Sequence, residues 1–174
     1  MIVLPRCRSA ETVVYVRDKN YLWLGFKKIR QGKGRYNGFG GGVKPHETIE
    51  TAAVRELLEE TGGHAGGGII PLDMELRGII QKYKNGKKTV RLYFFMVTSF
   101  KGKAIETDEM IPGKFKISRP SQIPYRHMHS GDKKLLPAFL RGEKIVGSIY
   151  FDEKGNVVYE NLDVVDEIPL VINF

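Results

Sequence analysis

Gly41-Gly-Val-Lys-Pro-His-Glu-Thr-Ile-Glu-Thr-Ala-Ala-Val-Arg-Glu-Leu-Leu-Glu-Glu-Thr-Gly-Gly63 is the stretch on which the reading of this chain turns. From Thr48 to Thr61 its pattern is helical. Ile49, Ala53 and Leu57 recur every fourth residue, and Ala52 and Leu58 widen the apolar stripe. Thr48 is the expected N-cap and Gly62 the expected stop. Residues three and four apart share a helix face, so Glu56, Glu59 and Glu60 project together. Three like charges repel unless something cationic sits among them. Hard divalent cations such as Mg²⁺ or Mn²⁺ prefer carboxylate oxygens, which this cluster supplies. Taken alone, the helix also fits an acidic exposed stripe neutralised by nearby lysines.

On the N-terminal side, the run from Gln31 to Gly42 holds glycines at 32, 34, 38, 40, 41 and 42. Such density marks backbone that a side chain would forbid, or close approach to a ligand. Tyr36, Asn37 and Phe39 among the glycines argue against a plain flexible linker. Before it, Thr12–Val16 and Tyr21–Phe26 read as strands joined by a turn at Arg17–Asn20. After the helix, His64–Gly68 reads as a loose connector. Ile69–Tyr83 and Lys88–Phe100 then read as long strands joined at Asn85-Gly86. In the second of these, Leu92, Phe94 and Met96 alternate with Tyr93, Phe95 and Val97. Both faces are apolar, as in a central strand covered on two sides. A short strand is expected at Lys114–Ser118, a short helix at Leu135–Arg141, and a hairpin from Lys144–Phe151 and Asn156–Val165. Strands and helices mix without regular βαβ alternation, which favours an α+β fold.

The chain has 174 residues, 41% of them hydrophobic and 28% charged, which suits a single globular domain over residues 1–174. No apolar run approaches the ~20 residues a membrane helix needs. Pro5, Arg6 and Arg8 break up the N-terminal apolar stretch, so it reads poorly as a signal peptide. Cys7 is the only cysteine, which excludes an internal disulfide and a Cys-rich zinc site and makes a cytoplasmic location the simplest reading. The net charge of +8 favours encounters with polyphosphates and permits weak nucleic-acid binding. No block of five consecutive basic residues occurs, which argues against nucleic acid as a partner.

Gly41, five residues, Glu47, seven residues, Arg55-Glu56-Leu57, one residue, Glu59-Glu60, one residue and Gly62 together resemble the signature of the Nudix hydrolase family. One position departs: the signature normally closes on an aliphatic residue, where this chain has Gly63, so an altered packing of the helix end is expected. The resemblance implies a Nudix fold, a mixed β-sheet between helices with a loop-helix-loop metal site. It implies Glu56 and Glu60 as principal ligands of Mg²⁺ (Mn²⁺ also fits), with Glu59 beside them and the Gly40 carbonyl as a backbone ligand. Arg55 would orient the glutamates and Glu47 would support the loop. Glu56 and Glu109 are both candidates for the general base.

Similarity extends over roughly Thr12 to Val165. Gly25-Phe-Lys-Lys, Gly34-Arg-Tyr-Asn-Gly-Phe-Gly-Gly, Glu106-Thr-Asp-Glu-Met110 and Gln122-Ile-Pro-Tyr125 followed by Met128 resemble the oxidised-purine nucleoside triphosphatases of the family. That branch implies Asn37 at the base edge, Thr12 and Lys27 lining the nucleotide pocket, and Glu109 as a further carboxylate at the metal. Its mammalian members carry a tryptophan and two aspartates where this chain has His129, Ser130, Gly131 and Asp132. Gln81 and Tyr83 fall where those members have phenylalanines. A more polar slot is therefore expected, with Tyr83, His129 and Asp132 against the base.

The expected reaction is metal-dependent hydrolysis of an oxidised purine nucleoside triphosphate such as 8-oxo-dGTP to the monophosphate and pyrophosphate. The alternative within the family is another nucleoside diphosphate derivative: ADP-ribose, a nucleotide sugar or a dinucleoside polyphosphate. A non-catalytic nucleotide sensor or RNA-binding module is the alternative outside it. The intact glutamates argue against that, because binding alone needs no clustered metal ligands. Oligomeric state is not legible.

Overall fold

The computed structural model describes residues 9–29 and 32–169; Cys7 and the other N-terminal residues read above, and Gln31, lie outside them. The opening apolar run forms β1 (Ala10–Asp18), which turns at Lys19 and Asn20 into β2 (Tyr21–Lys27). Lys19 takes φ 52°, the left-handed conformation a tight hairpin turn demands. The glycine-rich run contributes a two-residue strand, β3 (Tyr36–Asn37), and leads into α1 (Ile49–Glu60). Thr48 caps α1, its hydroxyl accepting from the Thr51 amide at 3.1 Å. Beyond the C-cap Thr61, Gly62 at φ 96° ends the helix in the left-handed region.

Five strands follow: β4 (Gly68–Pro71), β5 (Glu75–Lys84), β6 (Lys87–Val97), β7 (Phe100–Lys103) and β8 (Met110–Lys116). The expected single strand over 69–83 is in fact two, and so is 88–100. Asp73 breaks both, because its carboxylate accepts from the amides of Thr98 and Ser99 at 2.7 and 3.0 Å and from the Thr98 hydroxyl. β4 and β7 consequently leave the main sheet and pair with each other. The turn at Asn85-Gly86 has positive φ at both residues, as its sequence predicts. The expected strand at Lys114–Ser118 starts earlier, at Met110, and the expected short helix is α2 (Asp132–Leu140). The chain closes with β9 (Lys144–Phe151) and β10 (Val157–Val165).

The main sheet runs β10-β9-β5-β6-β1-β2-β3, with β8 on the other edge of β2. β1 is parallel to β6 and β5 to β9, and the remaining pairs are antiparallel, so the sheet is mixed as expected. Period-two alternation divides its side chains between two cores. Tyr15, Ile80, Phe94 and Met96 pack with Leu135, Leu136 and Phe139 of α2 on one face. Val14, Val16, Ile79, Tyr93, Phe95 and Val97 pack with Ala53 and Leu57 of α1 on the other. β6 is therefore the doubly covered central strand. Among the described residues, no helix is long and apolar enough to cross a membrane.

β1 has a divided edge. Its C-terminal end pairs with β2, while nearer its start Val14 bridges to Phe39 and Glu11 to Gly42. The loop leading into α1 is thus stitched to the same strand that supports the α2 face of the sheet.

Candidate active site

Arg55 is the hub of the carboxylate helix. Its Nε and Nη2 donate to the two oxygens of Glu47 at 2.8 and 3.0 Å, and its Nη2 also donates to the Gly42 carbonyl at 3.0 Å. The fork ties loop to helix in the bidentate geometry that arginine favours. Hydrogen bonding from Arg55 holds the Glu47 carboxyl down to about 2. Nη1 of Arg55 also reaches Glu56 at 2.6 Å and Glu59 at 3.3 Å. Gly41 makes room for this: a Cβ there would lie 2.8 Å from the Glu56 carboxyl carbon.

Glu60 is different. It is only 4% exposed, and burial pushes its pKa up to about 7 despite Lys27 Nζ at 3.3 Å and the Gly40 N–H donating at 2.8 Å. A buried carboxyl so weakly compensated suits a multivalent cation. Glu56, Glu59, Glu60 and Glu109 all line one groove. Among the described residues, no three acidic or histidine side chains converge as a ready ligand cluster, because Arg55 holds two of the glutamates. The donor set nevertheless fits a hard divalent ion: oxygen-only, clustered on one helix face, and opposite a further carboxylate. Gly40 meets Glu60 through its amide. Its Cα lies so close to β1 that a Cβ would fall 1.9 Å from the Thr12 carbonyl oxygen.

Two supports of this groove were missed in the sequence. Lys28 Nζ donates to Glu106 at 2.9 Å and to the Thr107 carbonyl at 2.8 Å, while its amide donates to the Glu109 carbonyl at 2.8 Å. It thereby anchors the loop that carries Glu109. Thr61 donates its hydroxyl to the Leu57 carbonyl at 2.5 Å and accepts from the Ile69 amide at 2.8 Å, joining α1 to β4. Leu58 explains Gly63: a Cβ at Gly63 would lie 2.5 Å from Leu58 Cγ, so Leu58 fills the place of the missing aliphatic side chain.

Beyond Gly40 and Gly41 lies a second cavity, a slot of about 170 Å³ between the sheet and the start of α2. Val13, Ile80, Leu92, Phe94 and Ile149 make it apolar, and Lys27, Asn37, His129 and Asp132 supply polar groups. Thr12 also borders it, its hydroxyl buried and without a hydrogen-bond partner among the described residues. Asp132 is 6% exposed, and burial raises its pKa to about 6 against the lowering effect of the neighbouring Tyr15 hydroxyl. Burial lowers His129 to about 4, so its ring is neutral near pH 7, with Nδ1 3.4 Å from Arg35 Nη1.

Tyr83 is not in the slot. It is in register with Tyr150 and stacks on that ring at 4.5 Å on the opposite face of the sheet. Gln81 is buried, donating to the carbonyls of Lys82 and Val90. Alternation along β5 puts Ile80 and Lys82 in the slot instead, so the expectation for Gln81 and Tyr83 was out of phase by one residue.

A mixed sheet between two helices, with a carboxylate-bearing loop-helix-loop beside an apolar slot, defines the class: Nudix-fold proteins. The chain belongs to the Nudix family, whose NUDIX domain matches residues 4–139. It is 32% identical over 159 residues to the oxidized purine nucleoside triphosphate hydrolase of Danio rerio, covering 90% of this chain and 96% of that protein. The protein of that name from Mus musculus is 31% identical, covering 89% and 94%. Among solved structures, the mutator MutT protein from Bacillus halodurans superposes with a TM-score of 0.74 at 24% identity, covering 89% of this chain and 97% of that one.

Proposed function

We propose that this chain, as a single Nudix domain over residues 1–174, hydrolyses oxidised purine nucleoside triphosphates such as 8-oxo-dGTP to the monophosphate and pyrophosphate. The observation that carries the reading is the pairing of Asn37 with the buried Asp132 in an apolar slot that adjoins the carboxylate groove. Two relatives named for this activity, similar over nearly their whole length, support it. Oxidation at C8 turns the purine N7 from an acceptor into a donor and adds an acceptor oxygen. An amide offering both roles and a carboxyl that holds its proton up to about pH 6 can discriminate such an edge. Apolar walls supply affinity, and the few polar groups supply orientation.

Glu56, Glu59, Glu60 and Glu109, with a backbone oxygen at Gly40, would hold Mg²⁺ or Mn²⁺. The ion would neutralise phosphate oxygens and lower the pKa of a bound water. Arg55 keeps Glu56 and Glu59 oriented, and Lys28 keeps the Glu109 loop against them. Lys27 borders the slot and pairs with Glu60, so its ammonium stands where a phosphate chain passes from slot to groove. Glu56 or Glu109 accepts the proton of the attacking water. A nucleotide substrate and a lone cysteine fit a cytoplasmic protein.

The test is pyrophosphate release from 8-oxo-dGTP, dGTP and ADP-ribose with Mg²⁺. Preference for 8-oxo-dGTP, reduced by Asn37→Ala, is expected. Higher kcat/KM for ADP-ribose would overturn the proposal.

A further inference from the structure

β10 ends the main sheet on one side, and it lacks most of the devices that keep edge strands apart. Among the described residues, its backbone pairs only with β9. In an antiparallel pair every second residue turns its N–H and C=O away from the partner, so β10 presents a row of them outward. The strand runs Val157–Val165, nine residues with no proline and no lysine. A bulge between Val157 and Tyr159 disturbs only its start. Val164, Val158 and Tyr159 are 65%, 64% and 60% exposed, more than any other large hydrophobic side chain among the described residues.

The strand is also close to symmetric about its midpoint, Asn161. Laid antiparallel on a copy of itself about a two-fold axis at Asn161, it overlaps over its full length. Val158 then opposes the partner's Val164, Tyr159 the partner's Asp163, and Glu160 the partner's Leu162. Opposed residues stand equally many steps from Asn161, so they share a face of the joined sheet and direct their backbone groups alike. On one face a valine pair closes each end. On the other, Tyr159 ends a row of rings that runs through Tyr150 to Tyr83, at 5.3 and 4.5 Å, and its phenol can donate to the carboxylate opposite.

Charge selects this register. No carboxylate opposes another, and Glu160 is already paired with Lys134 of α2. An axis at Glu160 would set that carboxylate against its own copy. An axis between Asn161 and Leu162 would set Glu160 against Asp163. Like charges directly opposite are destabilising in both cases. An axis at Leu162 would leave Val157 and Val158 beyond the end of the partner strand.

We propose that β10 is a self-association surface: two copies of this chain pair it antiparallel about Asn161 and join their sheets into one. A single strand supplies fewer than the ~20–30 residues a side of a standard interface, so the dimer is reversible, with dissociation in the micromolar range. No residue of β10 lines the slot or the glutamate groove, so turnover continues in either state.

Sedimentation equilibrium of the full chain across ~1–300 µM should show monomer and dimer exchanging by mass action. Val158→Lys with Val164→Lys sets lysine against lysine twice per dimer and should weaken association at least ~10-fold. Val158→Lys with Val164→Glu alters the same two positions but sets lysine against glutamate, so it should dimerise more tightly than the double lysine variant. Both substitutions are at solvent-exposed side chains, and far-UV circular dichroism confirms that each variant is folded. A parent that stays monomeric at the highest concentration would overturn the proposal and leave the edge to a strand of some other chain. A double lysine variant that dimerises like the parent would place the interface elsewhere. Equal weakening in the two variants would overturn the register about Asn161.

Discussion

Replacing Asp132 by asparagine is expected to make the protein more stable at neutral pH and worse at telling purines apart. Asp132 is the first residue of α2 and 6% exposed, and burial is the main reason its pKa rises from 3.8 to about 6. A raised folded-state pKa means that the folded protein holds this proton more tightly than the unfolded chain does. The resulting stabilisation is complete below the unfolded value of 3.8 and is lost as pH rises through about 6. Roughly two pK units at ~1.4 kcal/mol each amount to about 3 kcal/mol lost by pH 7. Asparagine keeps the shape and carries no charge. Asp132→Asn should therefore match the parent near pH 4 and exceed it by about 2–3 kcal/mol at pH 7. Urea unfolding followed by far-UV circular dichroism, at half-unit steps from pH 4 to 8, gives the difference curve. Glu60, also raised, cancels because both proteins share it. A difference that stays flat across this range would show that Asp132 is not held as a buried acid.

Thr61→Val removes a fully buried hydroxyl and leaves the Ile69 amide without its acceptor, so a loss of about 2–3 kcal/mol is expected in the same unfolding assay; under ~0.5 kcal/mol would count against the tie between α1 and β4. Gly40→Ala should cost more than ~3 kcal/mol or prevent folding, since the added carbon meets the Thr12 carbonyl oxygen at 1.9 Å, and a normal melting curve would contradict that close approach. Glu56→Gln should lower kcat at least ~100-fold while melting within ~1 kcal/mol of the parent; full turnover would remove Glu56 from the chemistry.

Legibility in the sequence followed the range of the interactions. α1 was visible to its caps because Thr48, the apolar stripe and Gly62 all act within a few residues of one another. The Asn85-Gly86 hairpin was visible for the same reason. The breaks at Asp73 were not, because that carboxylate binds amides twenty-five residues away that nothing in its own neighbourhood announces. The apolar alternation of β6 was legible on both faces, yet the choice between Gln81–Tyr83 and Ile80–Lys82 in β5 was not. Each phase mixes an isoleucine with polar residues, and register is decided by the partner strands. The glutamates could be read as one helical face, but their capture by Arg55 and the anchoring role of Lys28 depend on loops meeting in space.

The divided edge of β1 has a kinetic meaning. The strand whose Glu11 and Val13 border the slot also holds Phe39 and Gly42, and so fixes the loop that leads to the glutamates. Floor and catalytic loop are one hydrogen-bonded piece, with no hinge between them to absorb a poorly seated base. On the function proposed above, a purine that tilted in the slot would carry its phosphorus away from the attacking water by a comparable displacement. Selectivity built this way is spent in the turnover step: wrong nucleotides should bind with near-normal KM and wait, uncleaved, until they leave.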